Sequence, residues 1–166
     1  MKDHDWSMFC KRINVSCSIA DAYHAWSTRS GLEKWFLRKA EFKSKSGALR
    51  KPEEPLQIGD TYEWMWYGWS DDVVEHGEVL DANGKDFFRF SFGKAGIVSI
   101  KITSEHGETI TELKQDNIPQ DEESKIKFHL GCLEGWTFYL ANLKSILQGG
   151  LDLRNKNLKI GQIINA

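Results

Sequence analysis

The chain has 166 residues, of which 40% are hydrophobic, 28% charged and 12% aromatic, with 22 Lys and Arg against 24 Asp and Glu. That length fits one domain with a substantial core, and the aromatic content and only three prolines exclude a disordered, collagen-like or Pro-rich chain. A net charge of −2 supplies no field for drawing in nucleic acid or an anionic membrane.

The opening residues MKDHDWSMFC lack the apolar core of a signal peptide, and no stretch reaches the roughly 18 apolar residues of a membrane span. Residues 6–15 read as a first strand. In SCSIADAYHAWS, Ser18 is a candidate N-cap with Asp21 three residues on. Ile19, Ala22, Tyr23 and Trp26 then recur at helical spacing. Gly31 is read as lying just past that helix, and LEKWF as a second short helix.

From about residue 38 to 117 the pattern becomes one of strands. AEFKSK is followed by the loop GALRKPEEPLQIGD, then by DTYEWMWYGW, VVEHGEVL, DFFRFSF, IVSIKITSE and ETITELKQDN. Turn signals stand at Ser70–Asp72, Asn83-Gly84, Gly93 and His106-Gly107. Short strands with no helical crossover between them predict an antiparallel meander and exclude a parallel sheet. After Pro119 and the acidic DEES, residues 128–148 read as one helix. Leu133, Trp136, Leu140, Leu143 and Leu147 form its apolar stripe, Cys132, Tyr139 and Ile146 widen it, and Gly149-Gly150 stops it. Such a helix is about 30 Å long, enough to cross a sheet. The tail, 151–166, is expected to pack on the body. The whole chain, 1–166, is then one domain with a core at about 8–150.

Seven tryptophans are present, three of them within Trp64–Trp69. On a strand Tyr62, Trp64 and Trp66 share one face, and Met65, Tyr67 and Trp69 the other. Phe88, Phe90 and Phe92 share a face of the DFFRFSF strand, and Val98, Ile100 and Ile102 one of its neighbour. Rings in such number either fill a core or line a cavity, and buried Trp and Tyr each need a partner for their polar hydrogen. Signals of catalysis are absent. The five histidines form no HExxH or HxH pattern, and no GxSxG, GxGxxG or P-loop motif occurs. No metal, cofactor or catalytic set is therefore expected. An enzyme would need a polar pair inside the cavity, with Glu63, His76 or His129 as the candidates. Cys10, Cys17 and Cys132 are odd in number, lack CxxC spacing, and read as buried free thiols of a cytoplasmic protein.

One strand, two short helices, six further strands and a long C-terminal helix together resemble the helix-grip arrangement of the START/SRPBCC (birch-pollen-allergen-like) superfamily. Within it the chain resembles the branch of the C-terminal domain of the activator of heat shock protein 90 ATPase. Ala25-Trp26 and Leu32-Glu33-Lys34-Trp35-Phe36 carry the likeness, with Gly59-Asp60, Gly77-Glu78-Val79, and Gly135-Trp136 followed by Leu140, Leu143 and Leu147. It covers about residues 8–150. The superfamily includes lipid carriers, cyclases, hormone receptors and co-chaperone domains. No counterpart of the activator's separate N-terminal chaperone-binding domain is expected in this sequence.

The resulting expectation is an α+β helix-grip fold: a curved antiparallel sheet of six or seven strands wrapped around the long helix. A cavity between sheet and helix would bind a small hydrophobic or amphipathic molecule, lipid included. Trp26, Trp35 and Phe36 are expected at its mouth, Tyr62, Trp64, Trp66, Phe88 and Phe90 on the sheet wall, and Trp136, Tyr139 and Leu140 on the helix wall. The alternatives are a protein-interaction module acting on a chaperone or other partner, through Tyr67 and Trp69 or through Asp121–Glu123, and an enzyme of the cyclase or hydrolase type. Neither nucleic-acid binding nor membrane insertion is expected.

Overall fold

The computed structural model describes residues 4–161, 163 and 164; the parts of the expected domain and tail at 1–3, 162, 165 and 166 lie outside the described residues. Strand β1 (Phe9–Val15) leads into α1 (Ile19–Ser27) and α2 (Arg29–Trp35). There follow β2 (Lys39–Lys43), β3 (Thr61–Met65), β4 (Glu75–Ala82), β5 (Phe87–Ser91), a 3-10 turn at Gly93–Ala95, β6 (Ile97–Glu105) and β7 (Glu108–Asp116). A helical turn α3 (Glu122–Ser124), a π-helical segment Lys125–Leu130 and α4 (Gly131–Leu147) complete the order. The seven strands form one antiparallel sheet in the order β1-β7-β6-β5-β4-β3-β2. This is the helix-grip fold that the pattern predicts. Strands β1 and β2 lie at opposite edges, so α1 and α2 carry the chain from one edge to the other.

Local chemistry fixes the helix pair. Ser18 caps α1, accepting from the Asp21 N–H at 3.0 Å while its hydroxyl donates to the Asp21 carboxylate at 2.7 Å. Thr28 alone separates the helices: its hydroxyl caps α2 by accepting from Gly31 N–H at 3.0 Å and donates to the His24 carbonyl at 2.9 Å. Gly31, read from sequence as lying past the first helix, sits inside α2. A Cβ there would collide with the backbone of His24 and Ala25, so the glycine permits the close crossing of α1 and α2. Gly77 serves similarly on β4, opposite Tyr62, whose ring lies where a Cβ would be and whose hydroxyl donates to the Ser91 carbonyl.

The strand alternation is borne out where both neighbours exist. Phe88 and Phe90, Val98, Ile100 and Ile102, and Leu113 point inward and are at most 1% exposed. The long helix meets them through Trp136, Leu140 and Leu143, with Leu133 and Leu147 partly buried at the ends of the stripe. Cys10 departs from the expected burial: it faces solvent on the edge strand, while Cys17 and Cys132 are half-buried. Residues after α4 run back along the body as far as Arg154. The Arg154 guanidinium donates to the carbonyls of Leu37, Glu33 and Lys34 at 2.9–3.0 Å, which caps the C-terminus of α2. Among the described residues no helix is long and apolar enough to cross a membrane.

Candidate functional site

A cavity of about 290 Å³ opens where the start of α4 diverges from the end of the sheet. Phe36 at the C-terminus of α2 forms its back. Trp66, Trp69 and Val73 come from the β3–β4 connection, Phe92 from the end of β5, and Gly131, Cys132, Gly135, Trp136 and Tyr139 from α4. Phe36, Trp66, Phe92 and Trp136 close a circuit of ring contacts: Phe36–Trp66 at 5.7 Å, Trp66–Phe92 at 6.5 Å, Phe92–Trp136 at 5.6 Å and Trp136–Phe36 at 4.9 Å between centroids. These are the tilted and edge-on separations that favour aromatic pairs. Trp69 and Val73 form the lip, with 52% and 41% of their surface exposed.

Two glycines one helical turn apart give the cavity its depth. Gly131 and Gly135 have helical backbones and nothing within 3.5 Å of where a Cβ would stand; only the Ile126 carbonyl comes within 4 Å of Gly131. Neither a turn nor a close approach requires glycine at 135. Its missing side chain leaves the space between Cys132, Trp136 and Tyr139 unfilled.

The polar groups around this wall are held in place. Trp136 Nε1–H donates to Gln115 Oε1 at 2.8 Å, and Gln115 Nε2–H donates to the Ala95 carbonyl at 2.9 Å. Burial pushes the Cys132 thiol above its usual pKa, aided by the charge of Glu75, so it is no activated nucleophile. Burial likewise pushes the Tyr139 phenol up to about 12, with Arg154 opposing and Asp152 adding to the shift. Glu75 is half-buried, and desolvation holds its carboxyl above the ordinary glutamate range.

Of the eleven side chains expected to line a cavity, Phe36, Trp66, Trp136 and Tyr139 do so. The other seven lie in the packed interior. Trp26 and Trp35, expected at the mouth, are 1% and 0% exposed and pack edge to face at 4.5 Å, with Trp35 Nε1–H donating to the Ala25 carbonyl. Tyr62 and Trp64 stack on each other at 3.9 Å and are covered by Phe42 and Phe90. Phe88, Phe90 and Leu140 fill the sheet–helix interface. The Trp35 indole and the Tyr62 hydroxyl find carbonyls within the fold, whereas the Trp26 and Trp64 indole N–H groups are buried with no partner among the described residues, so packing of the rings outweighed the need of their polar hydrogens for an open pocket. The sequence reading passed over Trp69, Val73, Phe92, Gly131, Cys132 and Gly135. Phe92 was within reach as the third inward ring of its strand, and the Gly-x-x-x-Gly spacing on α4 marked a helix face with space in front of it.

Glu63, His76 and His129 do not converge. Glu63 and His76 pair across β3 and β4 on the outer face, where Glu63 takes Lys43 Nζ at 3.0 Å. His129 is 1% exposed in the π-helical segment, away from the cavity, with Nδ1 donating to the Trp6 carbonyl at 3.0 Å and Nε2 facing His4 Nε2 at 3.1 Å. Of the surfaces weighed for a protein partner, Tyr67 is partly covered, whereas Trp69 is 52% exposed and Asp121–Glu123 face solvent. Tyr67 lies beneath Arg154 and Lys156 at 5.3 and 5.4 Å, and Asp121 caps α3 through the Ser124 N–H at 3.0 Å.

Residues 16–148 match the family described as Activator of Hsp90 ATPase homolog 1-like protein. A comparison with curated proteins finds no match. Among solved structures, a protein from Staphylococcus saprophyticus superposes with a TM-score of 0.68 at 16% identity, covering 89% of this chain and 96% of that one. The Aha1 dimer from Colwellia psychrerythraea gives 0.65 at 16% identity, covering 86% and 97%. A protein from Nitrosomonas europaea gives 0.67 at 11% identity, covering 89% and 97%. At these identities the likeness is one of fold.

Proposed function

This chain belongs to the Activator of Hsp90 ATPase homolog 1-like family, a branch of the START/SRPBCC superfamily, and from that premise we propose that it is a cytoplasmic, non-enzymatic binding protein for a small hydrophobic or amphipathic molecule. The ligand occupies the cavity at the start of α4, held by Phe36, Trp66, Phe92, Trp136 and Tyr139 and entering past Trp69 and Val73. The observation that carries the reading is the ring-lined space in front of Gly131 and Gly135. Concave, mostly apolar sites with few polar groups are how small-molecule sites are built. The cavity is small for its class. Removing roughly 250 Å² of apolar ligand surface from water gives about 6 kcal/mol, which corresponds to a dissociation constant on the order of tens of micromolar.

Native mass spectrometry of freshly purified protein tests for a retained guest, and titration with aromatic and lipid probes tests the site through Trp66, Trp69 and Trp136 fluorescence. Saturable quenching that disappears in Gly135→Leu, which places a side chain in the cavity, is the expected result. Quenching that is identical in both proteins rules out this site.

A second reading, action on an Hsp90-type chaperone, is favoured by the family match. Stimulation of the chaperone's ATPase by the purified protein, lost in Trp69→Ala at the exposed lip, is its expected signature. An unchanged ATPase rate, together with no co-purification of the chaperone, removes it.

A further inference from the structure

Glu75 opens β4 on the inward face of the sheet, paired across the strands with the buried Trp64. Its Oε1 rests against Gly93, where a Cβ would collide with it. Gly93 follows Phe92, which lines the cavity, and the negative charge of Glu75 is felt at the thiol of Cys132, which lines it from the helix side. The carboxylate therefore stands just behind the cavity wall, against Gly93 and next to Phe92, without itself being one of the lining residues. Among the described residues no Lys or Arg pairs with it and no hydrogen bond satisfies it. Its adjacent histidine, His76, points to the outer face. A half-buried carboxylate without a partner is unfavourable, and burial holds its carboxyl above the ordinary range.

We propose that the cavity selects ligands carrying an organic ammonium group, with Glu75 as the counter-charge and the faces of Trp66, Trp69 and Trp136 as the cation-binding surface. This rests on the cavity being a ligand site. Ring faces carry the negative part of the aromatic quadrupole and attract a cation, and tryptophan does so best. A neutral ligand that closes over the cavity deepens the desolvation of Glu75 and leaves it unpaired. An anionic one adds repulsion. A cationic head offsets both and retains the apolar contacts of its body.

Benzyltrimethylammonium and its neutral carbon isostere neopentylbenzene have the same shape and differ in charge alone, so tryptophan fluorescence titration with each isolates the charge term. The wild-type protein is expected to bind the cation about tenfold or more tightly than the isostere. Glu75→Gln is expected to reduce that preference by about tenfold, the cation binding more weakly and the isostere more tightly, its folding being checked by thermal unfolding. Equal affinities of the two probes for the wild-type protein overturn the proposal while leaving the cavity as a ligand site. A cation preference that Glu75→Gln does not alter overturns the assignment of Glu75. Binding of neither probe removes the ligand site and the proposal together.

Discussion

Glu75 and Asp152 are carboxylates whose environments act in opposite directions. At Glu75 burial is the dominant influence, only partly opposed by the neighbouring His76. The folded state therefore favours the protonated form. That contribution to stability is full below the ordinary glutamate range and is lost as pH rises through the raised folded value. Glu75→Gln is accordingly expected to raise stability at pH 7 by about 1 kcal/mol, or about 2–4 °C in Tm, with the gain vanishing near pH 4; thermal unfolding of both proteins across that range checks it. At Asp152 burial opposes ionisation, but hydrogen bonds from Arg154 and Lys156 outweigh it and hold the carboxyl well below the usual carboxylate range. Its contribution is present above about pH 4 and lost as pH falls below that. Arg154 itself is 6% exposed and satisfies three carbonyls of the α2 terminus. Arg154→Met is expected to lower stability by about 2–3 kcal/mol, measured by urea denaturation at pH 7.

At the scale of elements, two helical glycines with the same residue type have opposite roles. Gly31 is the contact point of α1 and α2, and a Cβ there meets backbone that has nowhere to move. Gly135 faces open space on a helix. Gly31→Ala is therefore expected to destabilise by about 2–3 kcal/mol, and Gly135→Ala to stabilise by about 0.5–1 kcal/mol through helix propensity. Chemical denaturation of both variants decides the matter, and a loss of stability in Gly135→Ala would show that the space in front of it is filled. The start of α1 was legible from Ser18 as a cap because a cap is a local hydrogen bond. The role of Gly31 was not, because a glycine that ends a helix and a glycine that admits a neighbouring helix look the same in one dimension.

For the whole molecule, a ligand that binds only the folded state raises its stability by mass action. At 100 times the dissociation constant the gain is about 2.7 kcal/mol, which for a chain of 166 residues corresponds to a Tm rise of roughly 5–10 °C. Differential scanning with a saturating aromatic ammonium probe is expected to show that rise in the wild-type protein and none in Gly135→Leu.

The alternation of inward residues in β5, β6 and β7, the Ser18 cap, the Asn83-Gly84 hairpin and the stripe on α4 are periodic or nearest-neighbour features. They were written in the order of the residues, and they determined the sheet, the long helix and the helix-grip fold. Which rings would be sealed and which would face a cavity was a tertiary outcome. Trp64 and Trp66 share a face of one strand, yet Phe42, Tyr62 and Phe90 enclose the first, while the second stands past the strand end beside the gap left by Gly131 and Gly135. Burial is set by what arrives from distant parts of the chain. The same holds for Glu75 and Arg154, ordinary charges in one dimension: one met no Lys or Arg among the described residues, and the other met the end of a helix more than a hundred residues away.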